Sequence, residues 1–271
     1  MFKEMFHYLV EDTNPVAKRN GFTYESIALK ERYLRNKIQW QPHILNCHDF
    51  ILKKIDSHPM ANSIMIFGSG HLIEIPIEQI LAKFEKIYLV DLVHPKSVKK
   101  LAALYPQKII LRSVDLSSYF EVSKISLPKT DLVFSANMIS QIAFLPGKKM
   151  LDNGMPADLV WKESRKILQQ HLRWLKALSI DRKVFYFCDD KKMVSTTDRL
   201  NRNSILSLFK KNIFTQTQIN IDDSANDFTD EFTTIYDIHL PFEDEWIWDI
   251  ALSPEYKKNQ DVRLHMIAGT I

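Results

Sequence analysis

Glycine is scarce in this chain, with 6 residues in 271, and two of the six fall in one turn. The stretch SIMIFGSGHLIEIP, Ser63 to Pro76, places Gly68 and Gly70 directly after an apolar run. Backbone freedom is therefore concentrated at a single point. Cysteine is scarcer still. Cys47 and Cys188 cannot build a disulfide framework and show no metal-ligand spacing, which suits a reducing compartment. No apolar run approaches the ~20 residues that a membrane span needs. The opening MFKEMFHYLVED carries acids within its short apolar stretch and makes a poor signal peptide, so a cytoplasmic location is expected. No Gly-Lys-Ser/Thr closes the glycine turn as a Walker loop requires, and no Gly-x-Ser-x-Gly elbow occurs. Lysine pairs such as Lys99-Lys100, Lys148-Lys149 and Lys210-Lys211 are scattered and not interleaved with aromatics, so nothing indicates a nucleic-acid groove.

What the chain does hold is ordinary globular material, 45% hydrophobic and 25% charged. Its length fits one α/β domain with an appended piece, or at most two domains. The net charge of +3 hides an asymmetry. Residues 222 to 255 contain eleven acids, from Asp222 to Glu255, and no Lys or Arg. That segment reads as a solvated acidic edge or as a surface facing a cationic partner.

From about Phe22 to Ser57 the pattern is helical. Ile27, Leu34 and Ile38 are spaced to share a face, and Pro42 is suited to open a second helix, where its missing N–H is an orphan donor in any case. Ile44, His48, Ile51 and Ile55 recur along that second helix. A boundary near His58-Pro59 separates this helical cap, residues 1–58, from a body spanning 59–271. In the body, short apolar runs (Ile64-Phe67, Ile87-Val90, Ile109-Leu111, Leu132-Phe134, Val184-Phe187) alternate with helix-like segments near 75–85, 96–105, 160–178 and 200–211. Near-continuous apolar strands alternating with helices predict an α/β fold, a doubly wound and mostly parallel sheet covered on both faces. Glu245-Ala251 and Val262-Ala268 lack an intervening helix and read as an antiparallel pair at the sheet edge.

In open α/β sheets ligands bind beyond the carboxyl ends of the strands, where the strand order reverses. The glycine turn marks such a point. As a dinucleotide fingerprint it is incomplete, since Ile73 stands where a third glycine is needed. Polar residues close the following strands. Asp91 closes the second strand, in KIYLVDL, where a carboxylate can take both hydroxyls of a ribose. Asp115 follows the third strand, at the end of IILRSVD, placed for an adenine amino group or simply to start a helix at Leu116-Ser117. Asn137 follows the fourth, at the end of DLVFSAN, facing the reacting end of a ligand.

These residues resemble those of the class I S-adenosylmethionine-dependent methyltransferases, whose sheet has seven strands and an antiparallel C-terminal edge. The resemblance covers roughly residues 60 to 271. It implies S-adenosylmethionine as cofactor, with Gly68, Ser69 and Gly70 passing the methionine moiety, Asp91 holding the ribose, Asp115 with Leu116 the adenine, and Asn137 bordering the methyl-transfer site. The run YESIALKERYLRNKIQWQPHI followed by the GSG turn also resembles a bacterial methyltransferase-like group. Two positions depart from the family pattern. Ile66 replaces the acid that usually precedes the first glycine by two, and Leu72 replaces a small residue. Pro76 places the next helix well after Gly70, which counts against a phosphate ligand. Glu74 stands on the intervening loop, either as a replacement for the missing acid or as a helix-cap carboxylate.

Other candidates are read as follows. His43, Cys47 and His48 have poor geometry for a shared metal, and no metal site is expected. Cys188 reads as core, Asp189-Asp190 as a solvated turn, and Trp246 and Trp248 as packing. The long connection 138–159 is suited to function, so Ser140 and Gln141 are candidate substrate-side residues, and Trp40, before Pro42, is a candidate pocket wall. The expected activity is methyl transfer to a small-molecule or protein acceptor. Alternatives are another S-adenosylmethionine-dependent transfer, such as the aminocarboxypropyl transfer of the nicotianamine synthases, or an inactive relative serving as a binding subunit; an NAD(P) oxidoreductase comes last.

Overall fold

In a computed structural model the structure describes residues 14–118, 126–196, 240–255 and 260–271, with residues 193–196 described by backbone alone. The expected helix near 200–211 and the acids from Asp222 to Asp237 lie outside the described residues. Among the described residues the elements are, in chain order, α1 (Pro15–Arg19), α2 (Phe22–Arg35), α3 (Lys37–Asp56), β1 (Ser63–Phe67), α4 (Ile77–Lys83), β2 (Lys86–Asp91), α5 (Lys96–Leu104), β3 (Ile109–Ser113), β4 (Leu132–Ala136), α6 (Met138–Gln141), α7 (Phe144–Asp152), α8 (Ala157–Leu178), β5 (Lys183–Thr196), β6 (Asp244–Ala251) and β7 (Gln260–Thr270).

The strands form one sheet in the order β3-β2-β1-β4-β5-β7-β6. Neighbours among β1 to β5 pair parallel, while β7 runs antiparallel to both β5 and β6. The apolar runs found in the sequence are the strand interiors, and β4 is buried at all five positions as a central strand should be. Strand order reverses between β1 and β4, with Gly68 following the former and Asn137 the latter.

Two apolar layers flank the sheet. On one face α3, α4 and α5 meet Ile64, Ile66, Leu89, Phe134 and Phe185. On the other, α8 places Leu168, Leu175 and Leu178 against Met65, Phe67, Val133 and Val184. Both cysteines are free and buried, and Cys188 belongs to the second layer. No helix among the described residues is long and apolar enough to cross a membrane.

The N-terminal helices differ from their expected pattern. The chain breaks at Asn36 (φ −111°, ψ 25°), which ends α2 and precedes α3. That break puts Ile38 on a different helix from Ile27, and Leu34 is exposed already within the last turn of α2, so the face drawn through Ile27, Leu34 and Ile38 does not form. Ile27 is buried, whereas Leu34 and Ile38 are exposed. Pro42 lies inside α3, not at its start. Its missing N–H would have met the carbonyl of Ile38, and with Ile38 exposed water can take the donor's place. The buried face of α3 is Trp40, His43, Ile44, Cys47, Phe50, Ile51, Lys54 and Ile55.

Part of the acidic segment is also accounted for. Glu243, Asp244 and Glu255 pair with Lys54, Lys53 and Arg35 of the N-terminal helices. Asp249 pairs with Arg263 of β7. Asp189 and Asp190 lie within β5 and are buried, the sequence reading of a solvated turn notwithstanding. A register irregularity between Asp189 and Lys191 lets the strand continue past them. Asp190 faces His265, whose other ring nitrogen meets Glu245 at 3.0 Å.

Candidate functional site

A cavity of about 620 Å³ opens beyond the carboxyl ends of β1, β2 and β4, with α2 along its rim. Gly68, Gly70, Glu74, Asp91, Asp115, Leu116, Asn137 and Gln141 all line it. Residues far apart in sequence converge because parallel strands in register end at one level.

The glycine turn is held by its own backbone. Gly68 and Gly70 have φ of +73° and +44°, a region that favours glycine, and the Gly68 N–H donates to the Val90 carbonyl. Gly70 N–H donates to Asp91 Oδ2 at 2.9 Å, and Val93 N–H reaches Asp91 Oδ1 at 3.2 Å. Each oxygen of Asp91 keeps a further lone pair for a ligand. Burial pushes the Asp91 carboxyl up, opposed by those two N–H groups and by the neighbouring His94. Asp115 accepts from the N–H and hydroxyl of Ser117 at 3.0 and 2.6 Å in a local turn, with no helix beginning at Leu116 among the described residues, and it lines the cavity.

Glu74 does not cap a helix. α4 begins at Ile77 after Pro76, and no side chain bonds its first turn. Instead Glu74 Oε1 accepts from Asn137 Nδ2 at 2.8 Å and lies 2.8 Å from His43 Nε2. Asn137 adopts φ 52°, a conformation that Asn tolerates better than most residues, and its N–H is held by the Phe187 carbonyl. The loop from Gly70 to Pro76 is thus tied to the end of β4.

Three of the proposed site residues stand behind the cavity wall. Ser69 is buried with its hydroxyl unbonded among the described residues. Ser140 is buried with its hydroxyl 3.5 Å from the Asn137 carbonyl. Trp40 is buried against Trp248, donates to the Ile250 carbonyl at 2.9 Å, and supports the wall from outside. Gln141 lines the cavity and reaches Asp189 Oδ1 at 3.4 Å.

Further lining residues have no site role in the sequence reading. Asp189, Lys192 and Trp248 come from β5 and β6, and Arg32, Glu25 and Ser26 from α2. His71 binds Ser26 through Nε2, 3.0 Å from the carbonyl and 3.2 Å from the hydroxyl, joining the glycine loop to α2. Burial raises the Glu25 carboxyl, and Arg32 opposes the rise. Asp189 carried a usable signal, being polar at the carboxyl end of an apolar strand like Asp91 and Asn137. No local spacing in the sequence singles out His43 or particular residues of α2 for the cavity. Among the described residues no His, Cys, Asp and Glu group is placed to hold a metal ion.

The strand order, the single reversed strand β7 and the cavity at the β1/β4 switch define a class I S-adenosylmethionine-dependent methyltransferase-like fold, Rossmann-like with an antiparallel C-terminal edge. No protein-family model matches the chain, and no curated protein matches it in sequence. Solved structures similar to it include a S-adenosylmethionine-dependent methyltransferase from Clostridium acetobutylicum, 11% identical over 90% of this chain and 98% of that one, with a TM-score of 0.39. An O-methyltransferase family protein from Burkholderia thailandensis is 9% identical over 97% of this chain and 67% of that one, with a TM-score of 0.41. The CcbJ methyltransferase from Streptomyces caelestis is 11% identical over 55% of this chain, which spans 54% of that protein, with a TM-score of 0.34. At these identities and scores the fold assignment rests on strand order and site placement.

Proposed function

We propose that the chain binds S-adenosylmethionine in this cavity and transfers its methyl group to a small-molecule or protein acceptor. The observation that carries the reading is Asp91, a carboxylate at the end of β2 held by the Gly70 N–H with lone pairs left for two ribose hydroxyls. The surroundings fit the same ligand. A Cβ on Gly70 would meet nothing nearer than the Gly68 carbonyl at 3.9 Å, so the turn borders open space. Asp115 and Leu116 would border the adenine, Gly68 and Gly70 the methionine chain, and Asn137 the reacting end. Glu74 would take the methionine ammonium in place of the acid absent at Ile66, which is a fully buried strand residue here.

Bound there, the cofactor would supply an activated methyl group on a sulfonium. The protein's part is to hold an acceptor nucleophile in line and to keep water away, and orientation alone can supply much of the rate. Gln141, Asp189 and Trp248 also line the cavity and would border the acceptor.

The test is calorimetry with S-adenosylmethionine and S-adenosylhomocysteine. Asp91→Ala should weaken both by about tenfold or more, since charge-assisted bonds contribute ~1.5–3 kcal/mol each. Binding of NADH with neither adenosyl ligand bound would overturn the reading. Product mass then separates methyl from aminocarboxypropyl addition.

A further inference from the structure

We infer that His43, on the N-terminal helix α3, is the positioning residue that fixes Glu74 as a cation-binding carboxylate in the cavity. The inference rests on the cofactor reading above and adds a residue that contacts neither ligand nor cavity. His43 lies on the buried face of α3, its side chain fully inaccessible, and its ring stacks on Trp248 at 4.0 Å with planes 5° apart. Trp246 Nε1 reaches His43 Nδ1 at 3.0 Å. An indole nitrogen can only donate, so Nδ1 must be the acceptor. The proton of the neutral ring is then on Nε2, which faces Glu74 Oε1 at 2.8 Å and donates to it.

Beside a long contact of the ring with Cys47 Sγ at 3.7 Å, the three hydrogen bonds that join these side chains point the same way. Trp246 donates to His43, His43 donates to Glu74, and Asn137 donates to the same oxygen of Glu74. No acceptor lies at the far end, so the chain cannot carry a proton away from Glu74. What it does is immobilise. Oε1 is occupied by two donors, and Oε2, to which no described residue donates, is the oxygen left for the cavity that Glu74 lines.

The arrangement has a physical reason. An acid at the end of β1 would be positioned by the sheet itself, but Ile66 stands there. An acid on the loop before Pro76 has no such support, and α3 supplies it from outside the sheet. Ligand selectivity for a positive charge is thereby set by a helix that precedes the whole α/β body in sequence.

The experiment compares S-adenosylhomocysteine, which carries an ammonium, with 5′-methylthioadenosine, which does not, by calorimetry on the full chain. Wild-type protein should bind both. His43→Leu, which removes the donor, should weaken S-adenosylhomocysteine about tenfold or more while leaving methylthioadenosine within about twofold. Glu74→Gln should do the same. His43→Gln, whose amide nitrogen reaches about as far as Nε2, should restore most of the lost affinity. Unchanged S-adenosylhomocysteine binding in His43→Leu would overturn the positioning role and leave the cofactor reading standing. Loss of both ligands in His43→Leu and His43→Gln alike would also overturn it, by showing a core role only. A wild-type protein that binds neither ligand would defeat the cofactor reading and this inference together.

Discussion

A methyl group on Gly68 would lie 2.4 Å from the Ala136 carbonyl oxygen and 2.6 Å from Met138 Cγ, whereas one on Gly70 would meet only the Gly68 carbonyl at 3.9 Å. The two glycines therefore exclude side chains for different reasons. Gly68 makes room for the protein's own β4-to-α6 turn, and Gly70 supplies a left-handed backbone beside open space. Gly70→Ala should cost about 1–2 kcal/mol, the usual penalty for that conformation. Gly68→Ala should cost more, because backbone must move as well. Denaturant midpoints of the two variants check this, and the order would be reversed only if the Ala136 turn shifts freely. The sequence shows that the turn is special, and the strand-end residues Asp91, Asp115 and Asn137 were legible because each closes an apolar run. Glu74's partner was not. Residues 43 and 74 meet only through the packing of α3, and no local spacing encodes such a contact.

At the level of single elements, α8 holds a buried histidine against β4. His171 lies 3.4 Å from the Ser135 hydroxyl, and burial pushes its pKa down to about 3. In an unfolded chain it would titrate near ~6.5. Below that pH the unfolded chain takes up a proton that the folded chain refuses, so stability falls as pH drops from about 6.5 toward 3. The slope from this one group is up to ~1.4 kcal/mol per pH unit. His171→Leu should lose that slope, and chemical denaturation at pH 7, 6 and 5 in both proteins reads the difference. An unchanged slope would mean that His171 is protonated in the folded state. Strand identities were legible because buried parallel strands are continuous apolar runs. The α2–α3 face was not, since Asn36 carries no strong breaker signal and a phase shift there leaves the hydrophobic spacing looking continuous. Asp189 and Asp190 misled for a related reason, as paired acids rarely continue a strand into the interior.

Across the whole molecule, one hydrophobic core crosses the sequence division at His58-Pro59. Trp40, Ile44, Cys47, Phe50, Ile51 and Ile55 of α3 share it with Ile64, Ile66, Phe134 and Phe185 of the sheet. Ion pairs from Arg35, Lys53 and Lys54 to Glu255, Asp244 and Glu243 span the same seam, but the first two are well exposed and add little beside the apolar burial. Removing residues 1–58 should uncover a sheet face and abolish cooperative unfolding. A thermal melt of the 59–271 piece tests this, and a sharp transition would show a body that closes its own core. The amphipathic pattern of the N-terminal helices predicts a partner surface at the open mouth of the sheet; α2 rims the cavity there, while α3 packs on a face of the sheet, a placement that an apolar stripe does not specify.

The position of β7 has a consequence for assembly. This strand is the last in sequence yet sits between β5 and β6, and among the described residues β6 pairs with no other strand. During synthesis, residues 244 to 251 therefore emerge before the described strand they pair with, which follows only when 260 to 270 have left the ribosome. The nascent chain can lay down β1 to β5 in order, each beside a strand already made. Its final edge must close in reverse, with the later strand docking first and the earlier one second. A release factor or stop codon acting before residue 260 would thus remove two strands from the sheet, although only one is missing from the chain.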